Sequence, residues 1–201
     1  MLKTRIAVFV SGGGTNLQAL IDSKEIVSGE IVLVVSNNED AYALTRAKNA
    51  GIETAFVKKK GVPQEEFEEN LKKLLSEHDI DLIILAGFMC ILSESFTSAY
   101  PNRIINVHPS LIPSFCGKGF YGLHVHEAAL EYGVKVTGAT VHFVNEIPDG
   151  GEIILQKAVE IKENDTPETL QRRVMEEAEW KLLPQAAEIV SKRIISQKGT
   201  K

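Results

Sequence analysis

Cysteine is scarce in this chain of 201 residues: only Cys90 and Cys116 are present, with no C-x-x-C pair. That excludes a disulfide-stapled secreted framework and a structural zinc site. No apolar run approaches the roughly 20 residues needed to cross a bilayer. The N-terminus, Met1-Leu2-Lys3-Thr4-Arg5, leads into five apolar residues that stop at Ser11-Gly12-Gly13-Gly14. Such a run is too short for a signal peptide and lacks a cleavage site, so it reads as a buried strand and the cytoplasm is the default location. Basic residues are also in deficit, 22 against 27 acidic, for a formal net charge of -5. A broad nucleic-acid-binding surface is therefore not expected. Internal repeats and low-complexity linkers are absent as well. What remains is an ordinary globular composition, 44% hydrophobic and 24% charged, at a length that suits one domain.

Short apolar runs alternate with helical patterns through the first half. Strands are expected at 6–10, 31–35, 52–57, 80–86 and 104–107, and helices at 16–26, 42–50 and 64–76, the last with Phe67, Leu71, Leu74 and Leu75 on one face. Strands apolar on both faces, separated by helices, predict a mostly parallel α/β sheet covered on both sides. A ligand then belongs at the carboxyl ends of the strands. Three loops leave strands there: Ser11 to Asn16, Gly87 to Met89 and His108 to Pro113. The back part differs, with two strands (137–144 and 153–161) and a long amphipathic stretch (166–191) that Pro184 should end or kink. Lys58-Lys59-Lys60 reads as a solvated loop.

Three segments carry chemistry. Ser11-Gly12-Gly13-Gly14-Thr15-Asn16 follows a strand and opens a helix, which suits a monophosphate cradle or an empty tight turn. It is neither a Walker loop nor a dinucleotide fingerprint, since position 17 is Leu17. Asn106 and His108 lie two apart on a strand and so share a face. Together they suit an oxyanion donor and a proton-transfer group, or a satisfied core histidine beside a capping asparagine. Asp149, in Asn145-Glu146-Ile147-Pro148-Asp149-Gly150-Gly151, is either a turn aspartate or a carboxylate held over the site by its loop. His142, seven residues earlier, ranks below His108 as a supporting group.

These segments, with Leu85-Ala86-Gly87-Phe88-Met89, Asn106-Val107-His108-Pro109-Ser110-Leu111-Ile112-Pro113 and Val141-His142-Phe143-Val144, resemble the folate-dependent phosphoribosylglycinamide formyltransferases of purine synthesis over nearly the whole chain. The resemblance implies one formyltransferase domain over 1–201, Rossmann-like with an antiparallel C-terminal extension, in which 1–108 is the phosphate-binding half and 109–201 the folate side. It implies that Asn106, His108 and Asp149 are catalytic, with protonated His108 and Asn106 facing an oxyanion and Asp149 raising the basicity of His108. Gly13, Gly14, Thr15, Asn16, Gly87, Met89, Pro109, Glu176 and Glu179 would bind the ribonucleotide. Phe88, Met89, Cys90, Ile91, Leu92, Val144, Asn145 and Glu146 would border 10-formyltetrahydrofolate, a cosubstrate; no metal and no tightly bound cofactor are implied. Partners would be small molecules, with no nucleic acid or membrane, for a monomer or homodimer. The chain departs from the family at Cys90, where arginine is common, at 179–184, and at a longer Ser114–Tyr121 segment in which Lys118 either binds phosphate or is simply exposed.

Three other readings compete. A formyltetrahydrofolate hydrolase usually carries an N-terminal regulatory domain, whereas this chain starts almost at its first strand. A methionyl-tRNA formyltransferase needs a further nucleic-acid-binding domain. A non-enzymatic nucleotide-binding module would need the glycine loop but not Asn106, His108 and Asp149 together.

Overall fold

The computed structural model describes residues 3–199; Met1, Leu2, Thr200 and Lys201, within the expected 1–201 domain, lie outside the described residues. One seven-stranded sheet organises the chain. Its strands are β1 (Thr4–Val10), β2 (Gly29–Ser36), β3 (Glu53–Phe56), β4 (Leu82–Leu85), β5 (Ile104–His108), β6 (Val136–Phe143) and β7 (Ile153–Glu160), in spatial order β3-β2-β1-β4-β5-β6-β7. β1 to β5 pair in parallel, whereas β5 with β6 and β6 with β7 pair antiparallel. The strand order reverses at β1, which is buried from Ile6 to Val10.

Strand alternation divides the core into two clusters. Ile6, Val8, Val10, Val34, Leu82, Ile84, Ile105 and Val107 face one side. There they meet α1 (Thr15–Asp22), α2 (Tyr42–Asn49), α6 (Pro167–Val174) and α7 (Trp180–Lys198). Ala7, Phe9, Leu33, Val35, Ile83, Leu85 and Ile104 face the other side. They pack on α3 (Gln64–Glu77) and α4 (Glu94–Ala99) through Phe67, Leu71, Leu75 and Phe96. In α3 the spacing of those apolar residues makes one stripe, and Glu65 and Glu66 sit in the first turn, where the helix dipole favours negative charge. α6 opens with a Thr166–Thr169 capping box and Pro167 in its first turn.

Two helices were not expected. α4 has six residues, too few for a periodic signal, and depends on Ser93, whose Oγ accepts from the Phe96 N–H. α5 (Leu123–Tyr132) buries Val125, His126 and Ala129 and ends at Gly133. α1 stops at Asp22, short of the expected 26. The long back stretch is broken upstream of Pro184 rather than at it, by a π turn at Met175–Glu179. The carbonyl that Pro184 cannot serve belongs to Trp180, the first residue of α7, so the wide turn precedes the defect instead of following it. Among the described residues no helix is long and apolar enough to cross a membrane.

The back strands approach closely at Gly138, where a Cβ would lie 2.1 Å from the Lys157 carbonyl oxygen. Gly138→Ala should therefore destabilise the fold by ~2 kcal/mol or more by forcing β6 from β7, measured as a lower midpoint in urea unfolding. An unchanged midpoint would mean the ladder tolerates the shift.

Candidate active site

Three loops meet at the carboxyl ends of β1, β4 and β5. The Ser11 N–H donates to the Gly87 carbonyl (3.1 Å) and the Met89 N–H donates to Ser11 Oγ (2.7 Å). Gly14 adopts a left-handed φ of 73° as the first loop enters α1; a Cβ there would strike the Ala43 Cβ at 2.6 Å. Gly12 and Gly13 are exposed at its tip, so their backbone can approach a ligand. Arg46 of α2, absent from the expected site residues, donates from Nε to the Gly13 carbonyl at 2.8 Å and brings a guanidinium to the loop.

Asn106 and His108 occupy the face of β5 opposite Ile105 and Val107. The β5–β6 register puts Asn106 directly across from His142, with Nδ2 and Nε2 3.2 Å apart. His142 Nδ1 lies 2.7 Å from the Phe143 carbonyl oxygen, which only accepts. Nδ1 therefore carries a proton, and Nε2 lies between the Asn106 amide and Asp149. The 145–151 loop then folds back over both. Asp149, with a left-handed φ of 56°, places Oδ2 3.5 Å from His108 Nδ1 and Oδ1 3.6 Å from His142 Nε2. Asn106, His108, His142 and Asp149 thus form one cluster, with Pro109 half-buried just beyond it.

A family model described as formyl transferase matches residues 4–187. The chain belongs to the formyl transferase family. The phosphoribosylglycinamide formyltransferase of Haemophilus influenzae is 41% identical over 183 residues, covering 90% of this chain and 84% of that protein. The trifunctional purine biosynthetic protein adenosine-3 of Homo sapiens is 46% identical over 192 residues; 94% of this chain is covered, but the chain spans only 18% of that much longer protein. Glycinamide ribonucleotide transformylase 1 from Symbiobacterium toebii superimposes with a TM-score of 0.88 at 41% identity, covering 95% of this chain and 89% of that one.

In this formyl transferase the electrostatics of the cluster follow from burial. Burial pulls the His108 pKa below its ordinary 6.5; the Asp149 charge and the Phe115 carbonyl oppose that, and His142 adds to it. The expectation that Asp149 raises the basicity of His108 holds for that single interaction, but the net direction is down. Burial alone would push Asp149 up. His142, His108 and the Gly117 N–H outweigh it and hold Asp149 below the usual carboxylate range. At neutral pH the free enzyme therefore pairs a neutral His108 with an ionised Asp149.

The expected ribonucleotide residues fall in different settings. Asn16 Nδ2 donates to Glu179 Oε2 at 2.8 Å, joining the glycine-loop helix to the π turn. Glu179 is 6% exposed, and burial pushes its pKa up to about 7 against the Asn16 hydrogen bond. Thr15 Oγ1 faces Met175 Sδ at 3.8 Å. Glu176 is exposed and paired with Arg172 at 2.8 Å. Along the expected folate border, Met89 and Ile91 are exposed, Phe88 tilts against Phe9 at 5.2 Å, and Cys90 is half-buried with its thiol pushed up by burial. Leu92 is buried in the core instead. Val144 is half-buried, Asn145 Oδ1 accepts from the Ile147 N–H, and Glu146 is exposed. Lys118 is exposed. A cavity of about 420 Å³ lies between β3 and α3, and none of these residues lines it.

Sequence reasoning also missed His126. It is fully buried on α5 and neither ring nitrogen has a partner. Burial, with His108 nearby, lowers its pKa to about 4. The His124-x-His126 spacing was the only available signal. A histidine whose folded pKa is depressed stays neutral while the unfolded chain takes up a proton, so stability falls as pH drops from about 6.5 toward 4. Between pH 7.5 and 4.5 that loss should be ~2–3 kcal/mol from His126 alone. His126→Leu should remove it, as read by urea unfolding at the two pH values. Equal acid losses in both proteins would show that His126 plays no such part.

Proposed function

We propose that this protein transfers the formyl group of 10-formyltetrahydrofolate to the amine of 5'-phosphoribosylglycinamide, giving the formylglycinamide ribonucleotide and tetrahydrofolate in purine biosynthesis. The observation that carries the reading is the Asn106–His108–His142–Asp149 cluster at the strand ends, built on loops that also bring up a glycine turn and Arg46. A monophosphate suits the exposed Gly12–Gly13 backbone, the N-terminus of α1 and the Arg46 guanidinium. Asn16 supports the ribose end through Glu179 more directly than the phosphate end. We take the reaction to run in the cytoplasm, on small molecules, with the folate leaving after each turnover.

The chemistry needs a group that accepts a proton and a group that faces negative charge. The substrate amine attacks the formyl carbon, and the carbonyl electron pair moves onto oxygen. Neutral His108 takes the amine proton and becomes an imidazolium, stabilised by ionised Asp149. That imidazolium and the Asn106 amide then face the oxyanion; one such donor contributes ~3 kcal/mol. As the oxyanion collapses, the bond to the folate nitrogen breaks and the proton passes to that nitrogen. Holding both substrates in one cleft supplies much of the remaining acceleration.

The test is a deformylation assay followed by folate absorbance, with and without the ribonucleotide. Turnover should require the ribonucleotide; equal rates without it would make the chain a hydrolase. His108→Ala should lower kcat about 10²- to 10⁴-fold. Because His108 titrates below 6.5, the acid limb of kcat/KM should also fall below that value. A limb well above 6.5 would remove His108 as the proton acceptor.

A further inference from the structure

The 114–122 segment, which precedes α5, has no assigned role, yet its backbone touches both members of the catalytic pair. His108 Nε2 lies 2.8 Å from the Phe115 carbonyl oxygen, and the Gly117 N–H donates to Asp149 Oδ2 at 2.8 Å. Ser110 Oγ donates to the Ser114 carbonyl at 2.6 Å, tying the start of the segment to the end of β5. The Phe115 ring packs edge-on against Phe120 (centroids 6.3 Å) and against Tyr132 of α5 (6.0 Å). Phe115 itself holds a left-handed φ of 49°, a conformation that a residue with a side chain keeps only where its surroundings enforce it.

Resting on the transferase reading, we propose that Phe115 is a positioning residue whose carbonyl, aimed by its aromatic anchors, fixes His108 as the Nε2–H tautomer and leaves Nδ1 as the nitrogen that moves the proton. A carbonyl oxygen only accepts, so Nε2 keeps its hydrogen whether His108 is neutral or charged. Proton traffic is then confined to Nδ1. That atom stands 3.5 Å from Asp149 Oδ2, too far for a tight bond but close enough for the carboxylate to stabilise the charge when Nδ1 takes a proton. One ring nitrogen is anchored and the other works, the division of labour by which a catalytic histidine is held in a productive orientation. Here the anchor is a backbone carbonyl, and the carboxylate stands on the working side.

The charged and titratable groups facing His108 are Asp149 on its loop, His142 on β6 and His126 on α5. The Phe115 carbonyl favours the imidazolium, so losing it moves the His108 titration to lower pH. Phe115→Ala removes both aromatic contacts. Tyr132→Ala removes one from a residue that is 80% exposed, and so serves if Phe115→Ala fails to fold. Tyr132→Phe keeps the ring and should behave as wild type.

The experiment is ¹⁵N NMR of ring-labelled histidines at a pH where His108 is neutral, with its signals assigned by their loss in His108→Asn. Wild type should show His108 as Nε2–H, and Phe115→Ala and Tyr132→Ala should show a mixture with Nδ1–H. This readout needs no substrate, so it stands or falls apart from the transferase reading. In formyl transfer, Phe115→Ala should lower kcat about 10- to 100-fold with KM unchanged and shift the acid limb downward. A wild-type Nδ1–H tautomer overturns the proposal. So does a lower kcat with tautomer and limb both unmoved, since that is what a merely structural role would give.

Discussion

Asn106 stands directly opposite His142 in the ladder between β5 and β6, and everything else in the site is arranged around that pairing. β5 is the last strand of the parallel series, so its carboxyl end opens beside the loops that leave β1 and β4. β6 runs the other way. Its return brings a second histidine onto the same face and then sends the 145–151 loop back over the pair. A slip of one residue in this register would turn His142 into the core and bring Val141 or Phe143 to the cleft. The switch from parallel to antiparallel pairing thus lets one face of the sheet carry groups from two distant parts of the chain.

Burial sets the charge states at that face. His108 and His126 are both held toward their neutral forms, one beside an ionised carboxylate and one without a polar partner. Glu179 lies under the same influence with the opposite consequence, because burial favours its protonated form. Low pH therefore opposes the fold through His126, while high pH opposes it through Glu179. Between those limits His108 is held toward its neutral form beside an ionised Asp149, the pair on which the proposed proton transfer rests.

Much of the fold was legible because buried parallel strands announce themselves. Ile6 to Val10 and Ile31 to Val35 are continuous apolar runs, Ile104 to Val107 is broken only by Asn106, and each lies in a strand. The Asn106–His108 spacing placed two polar groups on one face for the same reason. What stayed hidden falls into physical classes. α4 is shorter than two helical periods. Leu92 continues an apolar stretch whose neighbours Met89 and Ile91 are exposed, and sequence does not say which member turns inward. Asn16 resembled a donor to a ligand, yet its amide meets Glu179, some 160 residues away along the chain. Phe115 and Gly117 act through backbone atoms, which every residue type possesses, so no pattern of side chains marks them.

α7 also bears on how the molecule comes to be built. It packs on β1 and on the segments that enter β2 and β4: Thr4 Oγ1 donates to the Ser191 carbonyl, Glu188 accepts from Val27 and Ser28, and Lys198 reaches Asp81 at 2.6 Å. Ile6 and Leu82 share a core cluster with Leu183, Ala187 and Ile194. Part of one face of this domain's early strands is thus left without its cover until α7 has been synthesised. During that interval the nascent chain presents an apolar sheet surface to the cell.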